Sequence, residues 1–351
     1  MRFGSRRFLY GHLSLLMLLL FTAQAASAQQ AVVFIYHRFG EDAYPSTSVR
    51  VEDFKAQVEL LREGGYNVIP LRTLLDHLAA DTPLPDRSVA LTVDDAYLSV
   101  YTQAWPVVRE AGFALTVFVA TEPVDRQTPS LMSWAQMRGL AAEGVTFANH
   151  GASHDHLVRR REGETEEAWR ARVAEDLRRG QARLDDELGS TGAVVTGVFA
   201  HPFGEYDTGT TGVLREKGYV AFGQQSGAVG PLSDRLALPR FPINEAYSDL
   251  GSFRTKADSL PMPVTRIEPW DPVTGPLPEL TLFLDGSLEH PEQLACYLGD
   301  GSRLAPQWLE PGREMRIKVA APLSPGRQRV NCTAPGPGGR YHWFSHQWLV
   351  R

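Results

Sequence analysis

The residues able to do chemistry collect where apolar runs end. Asp94-Asp95 follow Val89-Ala90-Leu91-Thr92-Val93. Two neighbouring carboxylates repel each other unless a cation absorbs one charge. Taken alone, the pair also suits a turn or a helix N-cap. His150-Gly151-Ala152-Ser153-His154 spaces two imidazoles four apart. If that segment makes one helical turn, both rings face one side and can share a metal. His156 makes the segment His-rich, so two chance surface histidines remain the plainer alternative. Two His and one carboxylate leave coordination positions open for a water or a carbonyl oxygen. A second carboxylate outside the metal shell can take the water's proton, and Asp94 beside Asp95 supplies one. The set reads as metal-assisted hydrolysis. The facial triad of a non-haem iron oxygenase uses the same residue types; the export signal described below argues against it, because such enzymes need cytosolic cosubstrates.

These residues need a scaffold that brings strand ends together. From 31 to 222, short apolar runs alternate with longer amphipathic ones. The runs are 31–36, 67–69, 88–93, 115–119, 145–148, 194–199 and 219–222, rich in Val, Phe and Ile as buried strands are. Their continuous apolar character suits parallel strands covered on both faces. Between them, 53–62 predicts a helix that stops at Gly64-Gly65, and 164–188 predicts a longer one that stops at Gly189. Trp169, Val173, Leu177, Leu184 and Leu188 recur there at helical spacing, which makes Trp169 a core residue. Such alternation implies an α/β fold with a parallel sheet or barrel. His37, Asp94-Asp95, His150 with His154, and His201-Pro202-Phe203-Gly204 each follow an apolar run. In parallel α/β folds the C-terminal strand ends form one face, where active sites lie.

At this point the chain resembles the polysaccharide deacetylases, the NodB-homology or carbohydrate esterase family four group. Thr92-Val93-Asp94-Asp95-Ala96 is similar to that family's Thr-Phe-Asp-Asp-Gly motif. His150 to His154 is similar to its His-Ser/Thr-x-x-His motif, and Leu157 falls where that motif ends. Phe199-Ala200-His201-Pro202-Phe203-Gly204 resembles Arg-x-Pro-Tyr-Gly. Ile35-Tyr36-His37-Arg38-Phe39 and the stretch from Phe54 to Gly65-Tyr66 also look like the family, so the resemblance covers about 31–243. It implies a distorted (β/α) barrel, a divalent metal, usually zinc, and hydrolysis of N-acetyl groups on a polysaccharide such as poly-N-acetylglucosamine or peptidoglycan. It makes Asp94 the base, makes Asp95, His150 and His154 the metal ligands, and gives the Phe203 N–H a part in holding the oxyanion. Three departures stand out. Ala96 replaces Gly. Ala200 stands where the family carries an Arg that orients the base, and Arg240 is the residue expected to substitute for it. No Leu-x-His motif, which normally supplies the general acid, lies near the end of the domain: Leu75-Asp76-His77 comes too early, and Leu288-Glu289-His290 lies in the tail. His37, His201 and Pro202 are placed on the substrate side by their strand-end positions, and the two histidines are the candidates for the acid, with a satisfied structural histidine the competing reading of each.

The ends of the chain set its context. Arg2, Arg6 and Arg7, the apolar run 13–23 and Ala26-Ser27-Ala28 form a secretory signal with cleavage expected after Ala28. The apolar run is shorter than the ~20 residues a bilayer span needs. The mature protein is therefore expected to be secreted or periplasmic, with no stable membrane span. Losing three arginines takes the formal charge from −6 to −9. An acidic chain carries no electrostatic footprint for nucleic acid. In an exported protein the two cysteines, Cys296 and Cys332, are expected to form a disulfide. The expected domains are a signal peptide (1–28), a catalytic domain (29–256), a Pro-rich linker (257–279) and a small all-β, sandwich-like domain (280–351), which is similar to a domain appended to some bacterial members of the family. The Trp308, Trp343, Phe344 and Trp348 aromatics of the last part are expected to be core rather than a sugar platform. Two further readings compete with the N-deacetylase: a catalytically impaired carbohydrate-binding protein, and an O-acetyl esterase on the same fold. Composition and motifs leave the oligomeric state open.

Overall fold

The structure, a computed structural model, describes residue 1 and residues 30–351. The expected signal peptide and its cleavage site lie outside the described residues. Among the described residues no helix is long and apolar enough to cross a membrane.

The expected apolar runs form the spine of a nine-stranded curled sheet. Its parallel strands are Ala31–Tyr36, Ser88–Asp94, Thr116–Val119, Thr146–Asn149, Val194–Ala200 and Val220–Phe222, in that spatial order. Asn67–Val68 pairs with the start of Ser88–Asp94. All of Ala31–Tyr36 and Ser88–Asp94 is buried, because helices cover one face and the curl of the sheet encloses the other. Phe34, Leu91, Val93, Val117 and Phe147 belong to one core cluster; Val33, Ala90, Phe118 and Ala148, which alternate with them, belong to another. That two-sided burial explains why these strands read as unbroken apolar runs.

Two strands too short for any sequence pattern curl the sheet toward closure. Ala228–Val229 pairs antiparallel with the start of Ala31–Tyr36, and Phe241–Pro242 pairs parallel with its second half. The segment between them also docks on the far edge: Leu238 N–H donates to Ala221 O at 2.8 Å, and Gly223 N–H donates to Leu238 O at 2.9 Å. Residues 235–242 therefore bridge the first and last strands, which gives the distorted barrel its near-closed form.

The helix Val51–Glu63 matches the expected one and is capped at Gly64, with Gly65 in the left-handed region (φ 73°). The long helix Glu166–Leu188 starts from the Thr165 cap. It runs past Gly189 into one tighter turn, so the left-handed stop falls at Gly192 (φ 72°) rather than at Gly189. Trp169 is buried and its indole N–H donates to Leu157 O at 2.8 Å, as a core residue should.

The tail is a pair of facing sheets. One runs Leu260–Pro261, Tyr341–Val350, Gly326–Pro335, Ala295–Leu298, Arg303–Leu304; the other runs Val264–Glu268, Glu279–Leu284, Glu314–Lys318, Gln307–Glu310. Leu280, Leu282, Met315, Ile317, Val330 and Trp348 fill the space between. Cys296 and Cys332 lie directly opposite on adjacent strands and are disulfide-bonded. Phe344 and Trp308 pack at the edge of this core, while Trp343 turns the other way, onto Phe241 of the first domain at 5.1 Å.

The expected linker needs correction. Residues 257–279 contribute Leu260–Pro261, Val264–Glu268 and Val273–Thr274, all paired into the two sheets. Leu260–Pro261 and Val264–Glu268 are edge strands. Proline removes one ladder donor, which an edge tolerates on its unpaired side; Pro263, Pro269 and Pro272 fall just outside the strands. High proline density here marks edges, not a tether.

Candidate active site

The parallel register carries the chemistry to one face. Tyr36 is level with Val93, so His37 emerges beside Asp94; Asp94 is level with Phe118, which is level with Ala148, and His150 follows two residues on. Directly after Asp94 the chain turns sharply, with Asp95 (φ 71°) and Ala96 (φ 55°) both left-handed. That turn sends the two adjacent carboxylates into different surroundings.

Asp94 points into the barrel and is completely buried against Arg240, also completely buried. The guanidinium grips it as a fork: Nη1 to Oδ1 at 2.7 Å and Nη2 to Oδ2 at 2.8 Å. Arg240 is itself held by Gly223 O at 2.9 Å and Thr92 Oγ1 at 3.3 Å. Burial works to raise the Asp94 carboxyl, but Arg240, then His150, outweigh it and leave it below its ordinary value. Asp94 is thus an ionised, oriented carboxylate.

Asp95 faces the histidines. Its Oδ1 lies 3.0 Å from His154 Nε2 and 3.4 Å from His150 Nε2. Burial opposes its charge, yet the two imidazoles bring the carboxyl well below its ordinary value. Ligand atoms of Asp95, His150 and His154 all lie within 4.8 Å of one another. The Nδ1 of His150 sits 2.8 Å from Ala200 O, a carbonyl that can only accept. That bond puts a proton on Nδ1 and turns Nε2 toward Asp95 as the nitrogen a metal would use. Two imidazoles and one carboxylate with open positions fit a divalent cation. A solvent-exposed Phe203 ring borders the set, edge-on to His154 at 4.6 Å and stacked on His156 at 3.8 Å.

The His150–His154 segment is not the helical turn its spacing suggests. It is a loop with Gly151 (φ 82°) and His154 (φ 59°) left-handed. Asp176, buried on Glu166–Leu188, accepts from Ala152 N–H at 3.1 Å and Ser153 N–H at 3.0 Å. Asn149 accepts from Gly151 N–H at 2.8 Å. A Cβ on Gly180, one helical turn from Asp176, would lie 2.6 Å from Asn149 Oδ1 and 2.9 Å from Gly151 C, so the helix needs glycine there. Sequence reading missed Asp176 and Gly180, though a signal existed: both interrupt the apolar stripe of Trp169, Val173, Leu177 and Leu184.

The remaining expectations divide. His37 joins the group: burial lowers its imidazolium below the ordinary value, and Asp95 and Asp94 pull it back. His201 and Pro202 do not reach the open face. His201 is buried, its Nε2 is 3.0 Å from Leu236 O, and burial lowers its pKa to about 4. It is a neutral structural histidine beneath the Phe203 turn. Pro202 is buried too. Phe203 is left-handed (φ 58°), and its N–H has no hydrogen-bond partner among the described residues. Of the seven non-glycine residues with positive φ among the described residues, Asp95, Ala96, His154 and Phe203 lie in this site. Each such residue costs about 1–2 kcal/mol, and strain of this kind collects where geometry serves function.

Comparison with known proteins agrees with the geometry. The polysaccharide deacetylase family model matches residues 81–222. The chain is 25% identical over 229 residues to the poly-β-1,6-N-acetyl-D-glucosamine N-deacetylase of Escherichia coli, a match covering 56% of this chain and 34% of that enzyme. It is 21% identical over 217 residues to the enzyme of the same name from Staphylococcus aureus, covering 60% of this chain and 73% of that one. The solved structure of IcaB from Ammonifex degensii superposes with a TM-score of 0.54 at 27% identity, covering 64% of this chain and 95% of that chain. The match to the Escherichia coli enzyme thus takes in about a third of that protein's length.

Proposed function

The chain belongs to the polysaccharide deacetylase family, and we propose that it is an exported, zinc-dependent N-deacetylase acting on a poly-N-acetylglucosamine-like glycan. One observation carries the mechanism: two adjacent carboxylates are divided between two tasks, Asp94 in the Arg240 fork and Asp95 between two imidazoles. Asp95, His150 and His154 would hold the cation. When bound, it would polarise the acetyl carbonyl and make water easier to deprotonate. Asp94, kept ionised and aimed by Arg240, takes the proton from the attacking water. The unpaired Phe203 N–H faces the developing oxyanion. His37, beside Asp94 on the neighbouring strand, delivers a proton to the departing amine nitrogen; Asp95 and Asp94 are what keep its imidazolium attainable.

The glycan is inferred from the relatives' substrate, and export from the basic, apolar and small-x-small segments at the N-terminus. The complete Asp-Asp and His-His set argues against a purely carbohydrate-binding role. The test is acetate release by zinc-loaded protein from poly-β-1,6-N-acetylglucosamine, chitooligosaccharide and acetylated xylan, beside His150→Ala and Asp95→Ala. Release from the first with loss of bound zinc in both variants is expected. Release from xylan alone would make it an O-acetyl esterase, and no release from any substrate would sink the enzymatic reading.

A further inference from the structure

We propose that Arg327, on the C-terminal β-domain, is a positioning residue for the deacetylation site, fixing the Phe203 turn from outside the catalytic domain. The inference rests on the reading of the Phe203 N–H as the oxyanion donor. Arg327 stands near the start of Gly326–Pro335. Its Nη1 donates to Phe203 O and, at 2.9 Å, to Gln224 Oε1 just beyond the strand Val220–Phe222. The space it enters exists because residue 204 is glycine: a Cβ there would lie 2.6 Å from Arg327 Nη1 and 2.7 Å from Gln224 Cβ.

The other restraints on this turn come from inside the catalytic domain. Gly204 N–H donates to His201 O at 2.8 Å, and Glu205 N–H to Pro202 O at 3.1 Å. Glu205 also meets His156 Nδ1 at 2.7 Å, under the Phe203 ring. These hold the ends of the turn and its side chain. Arg327 holds the carbonyl of the left-handed residue itself. With φ and ψ of Phe203 fixed, the direction of its carbonyl also fixes the direction of its N–H. A hydrogen bond from a charged donor is strong enough to compete with the strain of a left-handed phenylalanine. No carboxylate pairs with Arg327 among the described residues, so its positive charge stays available beside the loop.

The contact is part of a wider seam. Thr208 N–H and Oγ1 both donate to Asp271 Oδ2, and Arg351 donates to Val158 O at 3.1 Å. The β-domain therefore also holds Thr208, at the end of the 201–208 segment, and Val158, just beyond the His150–His154 loop.

The experiment uses the full chain, with Arg327→Ala and Arg327→Lys assayed on N-acetylated glucosamine oligomers and followed by hydrogen–deuterium exchange over residues 201–206. For Arg327→Ala we expect kcat to fall about tenfold, with KM, bound zinc and Tm unchanged and faster exchange at Gly204 and Glu205. Arg327→Lys, or added guanidinium ion, is expected to restore part of kcat. Unchanged kcat overturns the inference. So does a rise in KM alone, which would make Arg327 a substrate contact, and so does a fall in kcat matched by lost zinc or a lower Tm. If the wild type releases no acetate from any glycan, the N-deacetylase reading fails by itself; exchange then decides the positioning, and unchanged protection at Gly204 and Glu205 overturns it.

Discussion

Replacing Arg240 by Gln tests how the base is made. The Arg240–Asp94 pair is completely buried on both sides and joined by two bonds of 2.7 and 2.8 Å. At an effective dielectric near 20, unit charges ~4 Å apart interact by about 4 kcal/mol, equivalent to about 3 pKa units. Without the guanidinium, the burial that already works to raise the Asp94 carboxyl has less to oppose it. The acid limb of kcat/KM against pH should then move up by roughly 2–3 units. Stability should change sign in its pH dependence. In the wild type the folded-state pKa of Asp94 is depressed, so its contribution is present above the ordinary carboxylate range and is lost on acidification. In Arg240→Gln the pKa is raised instead, and the variant should lose stability as pH rises through it. Stranding a buried carboxylate costs about 3–5 kcal/mol at neutral pH, so the variant is compared at pH 5, where the carboxyl is closer to neutral. Arg240→Lys, which keeps the charge but loses the fork, should fall between. The assays are acetate release from pH 4 to 9 and urea melts at pH 5 and 7. A folded Arg240→Gln with an acid limb at the wild-type position would refute the argument.

Three further outcomes follow from the same structure. His37→Ala should reduce kcat by about 10²–10⁴-fold and remove the basic limb of the pH profile, as loss of a general acid does; a retained basic limb assigns the proton elsewhere. His201 and His346 are both buried and lowered to about 4 from an ordinary 6.5. Their folded-state pKa values lie below the unfolded one, so the protein loses stability as pH falls from 6.5 toward 4, by roughly 2 kcal/mol per histidine between pH 7 and 5. Urea melts of His346→Gln should show a shallower acid loss, and an unchanged slope would refute it. The Cys296–Cys332 bridge closes a loop 36 residues long, which on a chain-entropy estimate stabilises by about 4 kcal/mol; Cys296→Ala/Cys332→Ala should lower the melting of the β-domain accordingly, measured by calorimetry.

The sheet was legible because its strands are buried on both faces. Residues 88–93 must be apolar throughout to serve both core clusters, and that leaves an unbroken run. What escaped notice is held by contacts distant in sequence. Ala228–Val229 and Phe241–Pro242 are two residues each, too short for periodicity, and exist only because they pair with Ala31–Tyr36. The His150–His154 loop takes its shape from Asp176 and Asn149, and Asp176 lies more than twenty residues on. Local spacing alone suggested a helix. The linker reading failed because proline in an edge strand and proline in a tether look alike until the pairing partner is known. The Asp95, His150 and His154 cluster was readable because metal chemistry restricts residue types; the brackets around it were not, because a carbonyl such as Ala200 O has no sequence signature.

Ala200, where the motif arginine is missing, does not leave the buried Asp94 carboxylate without an arginine partner. It ends Val194–Ala200, on the side of the sheet that reaches Asp94 through three strand neighbours. Arg240 arrives from the opposite side, one residue before Phe241–Pro242, which pairs with Ala31–Tyr36, itself the direct neighbour of Ser88–Asp94. In a sheet curled almost onto itself, both routes end at the same buried carboxylate. A buried charge demands a partner in fixed geometry but sets no condition on where in the chain that partner begins. Ala200 gives up the side-chain role and keeps a backbone one, since its carbonyl fixes the His150 tautomer. The same freedom extends across the domain boundary if Arg327 holds the Phe203 turn, and it leads to a sharp expectation. Restoring the motif residue with Ala200→Arg should not rescue Arg240→Gln. Ala200 is fully buried in a packed cluster with Phe118 and Phe222, and those two rings already flank the Arg240 guanidinium at 5.2 and 5.9 Å. Acetate release restored by that double substitution would show that the site accepts either origin; continued inactivity with a lower Tm would show that the packing around Arg240 has committed to one.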